Sequence, residues 1–215
     1  MDATLIQSIE KFAFDAIHIG KRGAHSYEHT LRVRELCRFI GAAEGADLEI
    51  LEAAALLHDI GRSEEEVSGV SHAEIGANMA VAFLATTTFS KEKLSLVASA
   101  IRTHRFSEQL SPESLEGQIL SDADKLDAMG ALGLARTIAE SLVQQRGLKG
   151  TIEHIHRKLL KLNALLHTKT AKQLAAPRHQ LLVDFMTQLA AEYQTIGEPL
   201  PPELQNLAPS RTKHT

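Results

Sequence analysis

Residues 53–61, Ala-Ala-Ala-Leu-Leu-His-Asp-Ile-Gly, set an adjacent imidazole and carboxylate at the end of an apolar helical run. A buried ionisable pair must find a partner or shift its pKa. A divalent cation satisfies both groups at once. The constraint on the rest of the chain is therefore to supply further ligands on helices that can reach this doublet.

The chain has 215 residues and a single cysteine, lacks Trp, and is 4% aromatic. Ala and Leu dominate with little β-branched clustering, which predicts an all-α fold. The length fits one domain. The expected layout is a helical domain over 1–197, with metal motifs in 25–140 and covering helices in 150–197, then an extended tail over 198–215. The formal charge of -4 gives no general attraction to nucleic acid or an anionic membrane. Cys37 alone forms no internal disulfide, in keeping with a reducing compartment. The N-terminal MDATLIQSIEKFAF lacks the basic-then-apolar pattern of a secretory leader. No apolar run approaches the roughly 20 residues needed to span a bilayer. A cytoplasmic location is expected.

Hydrophobic spacing predicts helices over 3–19, from Ser26 to Gly41, from Asp47 to the doublet, over 71–84 and over 90–103. Arg62 to Gly69 is expected as a charged loop, and 105–111 as another. Ser111-Pro112 marks a further start, with helix to about 146 and a break near Asp122 to Asp124. Helices over 151–167 and 170–196 follow, the second bent or interrupted at Pro177.

Ionisable residues on apolar faces near helix ends are His29, His58, Asp59 and Asp124. Two imidazoles and two carboxylates make a mixed N/O set suited to Mn, Fe, Co, Ni, Zn or Mg. Four protein ligands on a six-coordinate ion leave room for water and substrate, as in a catalytic site. Such an ion activates water and polarises a phosphoryl oxygen.

The order His29, then His58-Asp59, then Asp124 resembles the HD superfamily of metal-dependent phosphohydrolases. EHTLRV at 28–33 looks like the family's first-histidine helix, AAALLHDIG at 53–61 its doublet, and SDADKLDAMGALGLAR at 121–136 its aspartate segment in small bacterial members. The resemblance implies an all-α bundle with the metal between helices, and hydrolysis of a phosphate ester or anhydride. His72 and His104 fall where subgroups with two metals carry extra histidines. The preferred expectation is one metal with these two facing substrate, a second metal being the alternative. Asp59, His72, His104, Lys125 and Asp127 are the expected catalytic set, with Asp127 able to orient a ligand. Arg62, Arg102 and Arg105 are expected to hold phosphate oxygens. His25 is a weaker candidate. Glu64 and Glu65 follow the doublet at a spacing that departs from the family's patterns, and carry little weight.

The expected substrate is a small phosphorylated molecule, a nucleotide by analogy. The basic stretch 146–178 is a solvated face or a positive rim for phosphate. No aromatic array supports nucleic-acid binding. Surfaces over 151–196 are candidates for a homodimer. Two alternatives are a non-catalytic HD signalling module that binds metal or nucleotide, and a di-iron oxygenase on the same fold.

Overall fold

The computed structural model describes residues 1–18, 27–105 and 110–207. It is all-α, with no strand among the described residues. The helices are α1 (Ala3–His18), α2 (Tyr27–Glu44), α3 (Leu48–Leu57), α4 (Arg62–Ser68), α5 (His72–Leu84), α6 (Leu94–Thr103), α7 (Leu115–Asp127), α8 (Gly130–Val143), α9 (Gly147–Arg157) and α10 (Lys169–Ile196). Among the described residues no helix is long and apolar enough to cross a membrane. The chain divides into two compact units, one of residues 1–127 with 166–172, the other of 128–165 with 173–215.

The first unit is built around α3. From Ala53 to Leu57 every side chain is buried, and burial continues through the doublet to Ile60. A helix apolar on all sides belongs in a core. It is surrounded by α1, α2, α5, α6 and α7. Asp47 starts it as predicted, its carboxylate accepting from Glu49 N (3.0 Å) and Ile50 N (3.3 Å). Ile9, Val33, Ile40, Leu51, Leu56, Ile101, Leu120 and Leu126 are fully buried nearby. Each such aliphatic chain contributes about 1.5–3 kcal/mol.

In the second unit α8 packs on α9, and α9 on a 3-10 segment at Leu159–Leu165 and another at Pro202–Leu204.

Several boundaries differ from expectation. Arg62–Ser68 is helix α4, not a loop. Glu64 and Glu65 in its first turn suit the helix dipole, and Gly69 at φ 72° ends it, donating to Glu65 O. α7 starts at Leu115, three residues after Pro112, and runs unbroken through Asp122 and Asp124. The break falls instead at Ala128-Met129, where Gly130 takes φ 70°, a left-handed conformation that a side chain disfavours. α9 stops at Arg157, and α10 runs through Pro177 without interruption. The predicted Ser26 cap, His25, the loop at 106–109 and the end of the tail at 208–215 lie outside the described residues.

Two glycines join the doublet to α5. A Cβ on Gly61 would sit 2.5 Å from His72 O and 2.7 Å from Gly76 N, both backbone atoms. On Gly76 it would lie 3.4 Å from His58 O. The turn after α3 thus rests directly on the first turn of α5, which brings His72 beside the doublet. Gly61→Ala should cost about 1–3 kcal/mol through forced backbone shifts. Urea unfolding measures this, and a change below about 0.5 kcal/mol would show that the close approach is not needed.

Candidate metal centre

Four helix ends in the first unit deliver four imidazoles. His29 lies in the first turn of α2, His58 is the C-cap of α3, His72 is the first residue of α5, and His104 is the C-cap of α6. All four, together with Asp59, are at most 2% exposed.

Each imidazole is anchored through Nδ1. His58 Nδ1 donates to Ala55 O (2.7 Å) and His104 Nδ1 to Ile101 O (2.6 Å). These carbonyls belong to last helical turns, where intrahelical donors run out; Ile101 O also takes a long bond from His104 N (3.5 Å). His29 Nδ1 donates to Asp127 Oδ2 (2.7 Å), and His72 Nδ1 to Glu65 Oε2 (2.8 Å). A carbonyl can only accept, so Nδ1 carries the proton and Nε2 of the neutral ring keeps its lone pair. Carboxylate and carbonyl anchors of this kind fix the tautomer of metal-ligating histidines.

The Nε2 atoms converge on Asp59. Its Oδ2 lies 3.8 Å from His29 Nε2 and 3.6 Å from His58 Nε2. Its Oδ1 lies 3.4 Å from His72 Nε2 and 3.8 Å from His104 Nε2. Asp124 Oδ1 adds a donor 3.3 Å from His29 Nε2. Two trios able to hold a cation result, His29-His58-Asp59 and Asp59-His72-His104, sharing one carboxylate. Ligand bonds of about 2.1 Å set donors about 3.0 Å apart at right angles and about 3.6 Å apart at 120°, close to these spacings. His58 Nε2 and His72 Nε2 are buried without a hydrogen-bond partner. Buried polar atoms are rarely left so, and the residues present fit a cation.

The remaining expected residues divide. Asp124 is 29% exposed and lies on the accessible side of the centre. Arg62 Nε is 2.8 Å from Asp59 Oδ2. Asp127 sits one turn after Asp124 with both oxygens engaged, by His29 and by Arg32. Lys125 Nζ donates to Ser121 O and Ser121 Oγ, and Ser121 Oγ in turn donates to His104 O. Arg105 Nη1 pairs with Glu65. Arg102 is not brought to the cluster: Glu74 and Asn78 hold its guanidinium, each at 2.8 Å. Arg32 and Ser121 are not among the residues the sequence singles out, and Glu65 carries little weight there. Arg32 had a signal, standing one turn after His29; Glu65 is the middle of three glutamates, with nothing local to single it out.

A model of the HD domain matches residues 26–129. The Bacillus subtilis protein YpgQ is 34% identical over 173 residues, covering 77% of this chain and 82% of that protein. The crystal structure of YpgQ in complex with ADP superposes with a TM-score of 0.72 at 30% identity, covering 87% of this chain and 97% of that one. A predicted HD superfamily hydrolase from an uncultured Thermotogales bacterium gives a TM-score of 0.67 at 34% identity, covering 90% and 99%. Ribonuclease Y of Sulfurovum sp. (strain NBC37-1) is 31% identical over 145 residues, 67% of this chain but 26% of that protein.

Burial sets the proton affinities of three of the imidazoles. It pushes His58 and His72 below the ordinary value, with the charge of Arg62 adding to the effect on His72. Burial and the neighbouring His58 take His104 down to about 3. Near neutral pH these rings are lone-pair donors and have no proton to give at Nε2. His29 is the exception. Burial opposes its charged form, but the hydrogen bonds to Asp124 and Asp127 prevail and raise it to about 9. The same bond to His29 outweighs burial at Asp124 and holds that carboxylate well below its usual range. Proton and cation compete for one lone pair on His29. Loading the metal-free protein with Mn2+ at neutral pH should therefore release about one proton per chain from this residue. Below about 9 the proton is present to be displaced, so the release should fade as the pH rises through that value. Indicator-dye titration at several pH values checks this; no release at neutral pH contradicts it.

Proposed function

This chain belongs to the HD-domain family, and from that premise we propose that it is a metal-dependent phosphohydrolase acting on a nucleotide. The observation that carries the proposal is the convergence of anchored imidazole lone pairs on Asp59. His29, His58, Asp59 and Asp124 would hold the cation, any of Mn, Co, Ni, Fe, Zn or Mg by ligand type. Such a cation supplies Lewis-acid polarisation of a phosphoryl oxygen and lowers the pKa of water.

The chain's own residues supply the rest. Asp59 sets the imidazoles around one point, and its ion pair with Arg62 brings a guanidinium to the same place. Arg62 can fork onto phosphate oxygens as negative charge builds in transfer. Of the expected catalytic residues besides Asp59, His72 and His104 are held neutral and Asp127 is committed to His29 and Arg32. Lys125 remains. Burial lowers its pKa from the ordinary lysine value, which eases release of a proton to a leaving oxygen.

The ADP complex of YpgQ supports a nucleotide as substrate class. A phosphodiester is the other substrate to test, since part of ribonuclease Y is similar to this chain. A second reading concerns the metal count. Asp59 faces His29 and His58 with one oxygen and His72 and His104 with the other, which supports a form that would hold two cations. In the one-cation form His72 and His104 face substrate instead. A signalling module would bind without turnover, and a di-iron oxygenase would need two irons.

The test is metal-stripped protein reloaded singly with Mn2+, Co2+, Ni2+, Zn2+ and Mg2+, with metal per chain counted. Nucleoside mono-, di- and triphosphates, cyclic nucleotides and a short RNA are then assayed, with phosphate and pyrophosphate followed separately. Turnover of a nucleotide restored by one ion is expected, and Asp59→Ala should lose both metal and turnover while keeping helical circular dichroism. Full activity in Asp59→Ala, or tight metal binding with no turnover of any substrate, contradicts the proposal.

A further inference from the structure

The four imidazole anchors are of two kinds. His58 and His104 hold backbone carbonyls, which the helix itself keeps in place. His29 and His72 hold side-chain carboxylates, which can rotate. In both of these cases an arginine takes the same carboxylate: Arg32 on Asp127 and Arg105 on Glu65. The first clamp is the more complete. Arg32 Nε donates to Asp127 Oδ1 (2.6 Å) and Arg32 Nη2 to Asp127 Oδ2 (3.1 Å), while His29 Nδ1 donates to that same Oδ2 (2.7 Å).

We propose that Arg32 is a positioning residue for the cation centre, acting through Asp127 on His29. The inference rests on the reading of His29 as a ligand. Asp127 is 1% exposed, so its charge needs a close partner inside the protein. Arg32 supplies that charge from one turn along α2, with its planar fork laid across both carboxylate oxygens. The fork fixes the plane of the carboxylate, and the carboxylate fixes the ring of His29. Asp124, one turn before Asp127 on α7, faces the opposite nitrogen of that ring at 3.3 Å. His29 is thus gripped at both nitrogens from α7. If Asp127 turns, the Nε2 lone pair no longer aims where His58 and Asp59 aim theirs.

The geometry separates this role from phosphate binding. A guanidinium forked on a buried carboxylate has its charge engaged there, and its loss should act on the metal before it acts on substrate. It also distinguishes arginine from lysine, because a single ammonium cannot span both oxygens.

The test is calorimetric Mn2+ binding to metal-stripped full-length protein, as wild type, Arg32→Gln, Arg32→Lys, Asp127→Ala and the double variant Arg32→Gln/Asp127→Ala. Circular dichroism and thermal unfolding are followed for each. Loss of an anchoring carboxylate weakens a metal site about 10–100-fold, which is the expectation for Asp127→Ala. Arg32→Gln should weaken Mn2+ severalfold, and Arg32→Lys should recover little of it. With Asp127 absent, removing Arg32 should cost nothing further, the non-additivity of residues acting in series. Should Arg32→Gln fail to fold, Arg32→Lys keeps the charge and carries the comparison. An unchanged Mn2+ affinity in folded Arg32 variants, or an equal loss with and without Asp127, overturns the inference while leaving the metal site intact. Absence of Mn2+, Co2+ and Zn2+ binding in the wild type overturns the underlying reading as well.

Discussion

The first unit is organised around a single buried carboxylate. Asp59 is held among four imidazoles, two facing each of its oxygens, with Arg62 against Oδ2. A buried anion is costly without such company. Three of the four imidazoles are kept neutral by burial, so they return little positive charge. A cation held here would take the carboxylate and the lone pairs together. The family membership and the likeness to solved HD structures agree with this chemistry.

Helix α7 carries the other half of the arrangement. Asp124 and Asp127 straddle His29. Ser121, bonded by Lys125, holds His104 through its carbonyl. Asp122 accepts from His167 N (2.9 Å), Thr168 N (2.8 Å) and Thr168 Oγ1 (2.8 Å), which ties 167–168 to the same helix. Almost every polar side chain between 121 and 127 therefore has a partner in another segment. Stability and site geometry are hard to separate there, since the same contacts serve both.

Much of this was legible in the sequence for a physical reason. Ionisable residues at the ends of apolar helices are conspicuous, and His29, His58, Asp59, His72 and His104 all sit at such ends, brought together within one unit. The helix starts at Asp47 and Ser71 were legible because caps act within three residues. The errors came from longer range. The polar sequence at Asp122 to Asp124 suggests a break, yet Asp122 and Asp124 have partners across the unit, and the helix continues to Asp127. The glutamates at 64–66 suggested a solvated loop, whereas Glu65 forms the anchor of His72. Arg102 stood beside a motif histidine in sequence, but its side chain leaves α6 on the side facing Glu74 and Asn78. Neighbours in sequence share a site only when the helical phase agrees.

The most direct test of the central claim is anomalous X-ray diffraction from crystals of the Mn2+-loaded chain. The account predicts a peak within bonding distance of His29 Nε2, His58 Nε2, Asp59 Oδ2 and Asp124, and any second peak beside Asp59 Oδ1, His72 and His104. Mn2+ bound elsewhere with Asp59 left uncoordinated would contradict it.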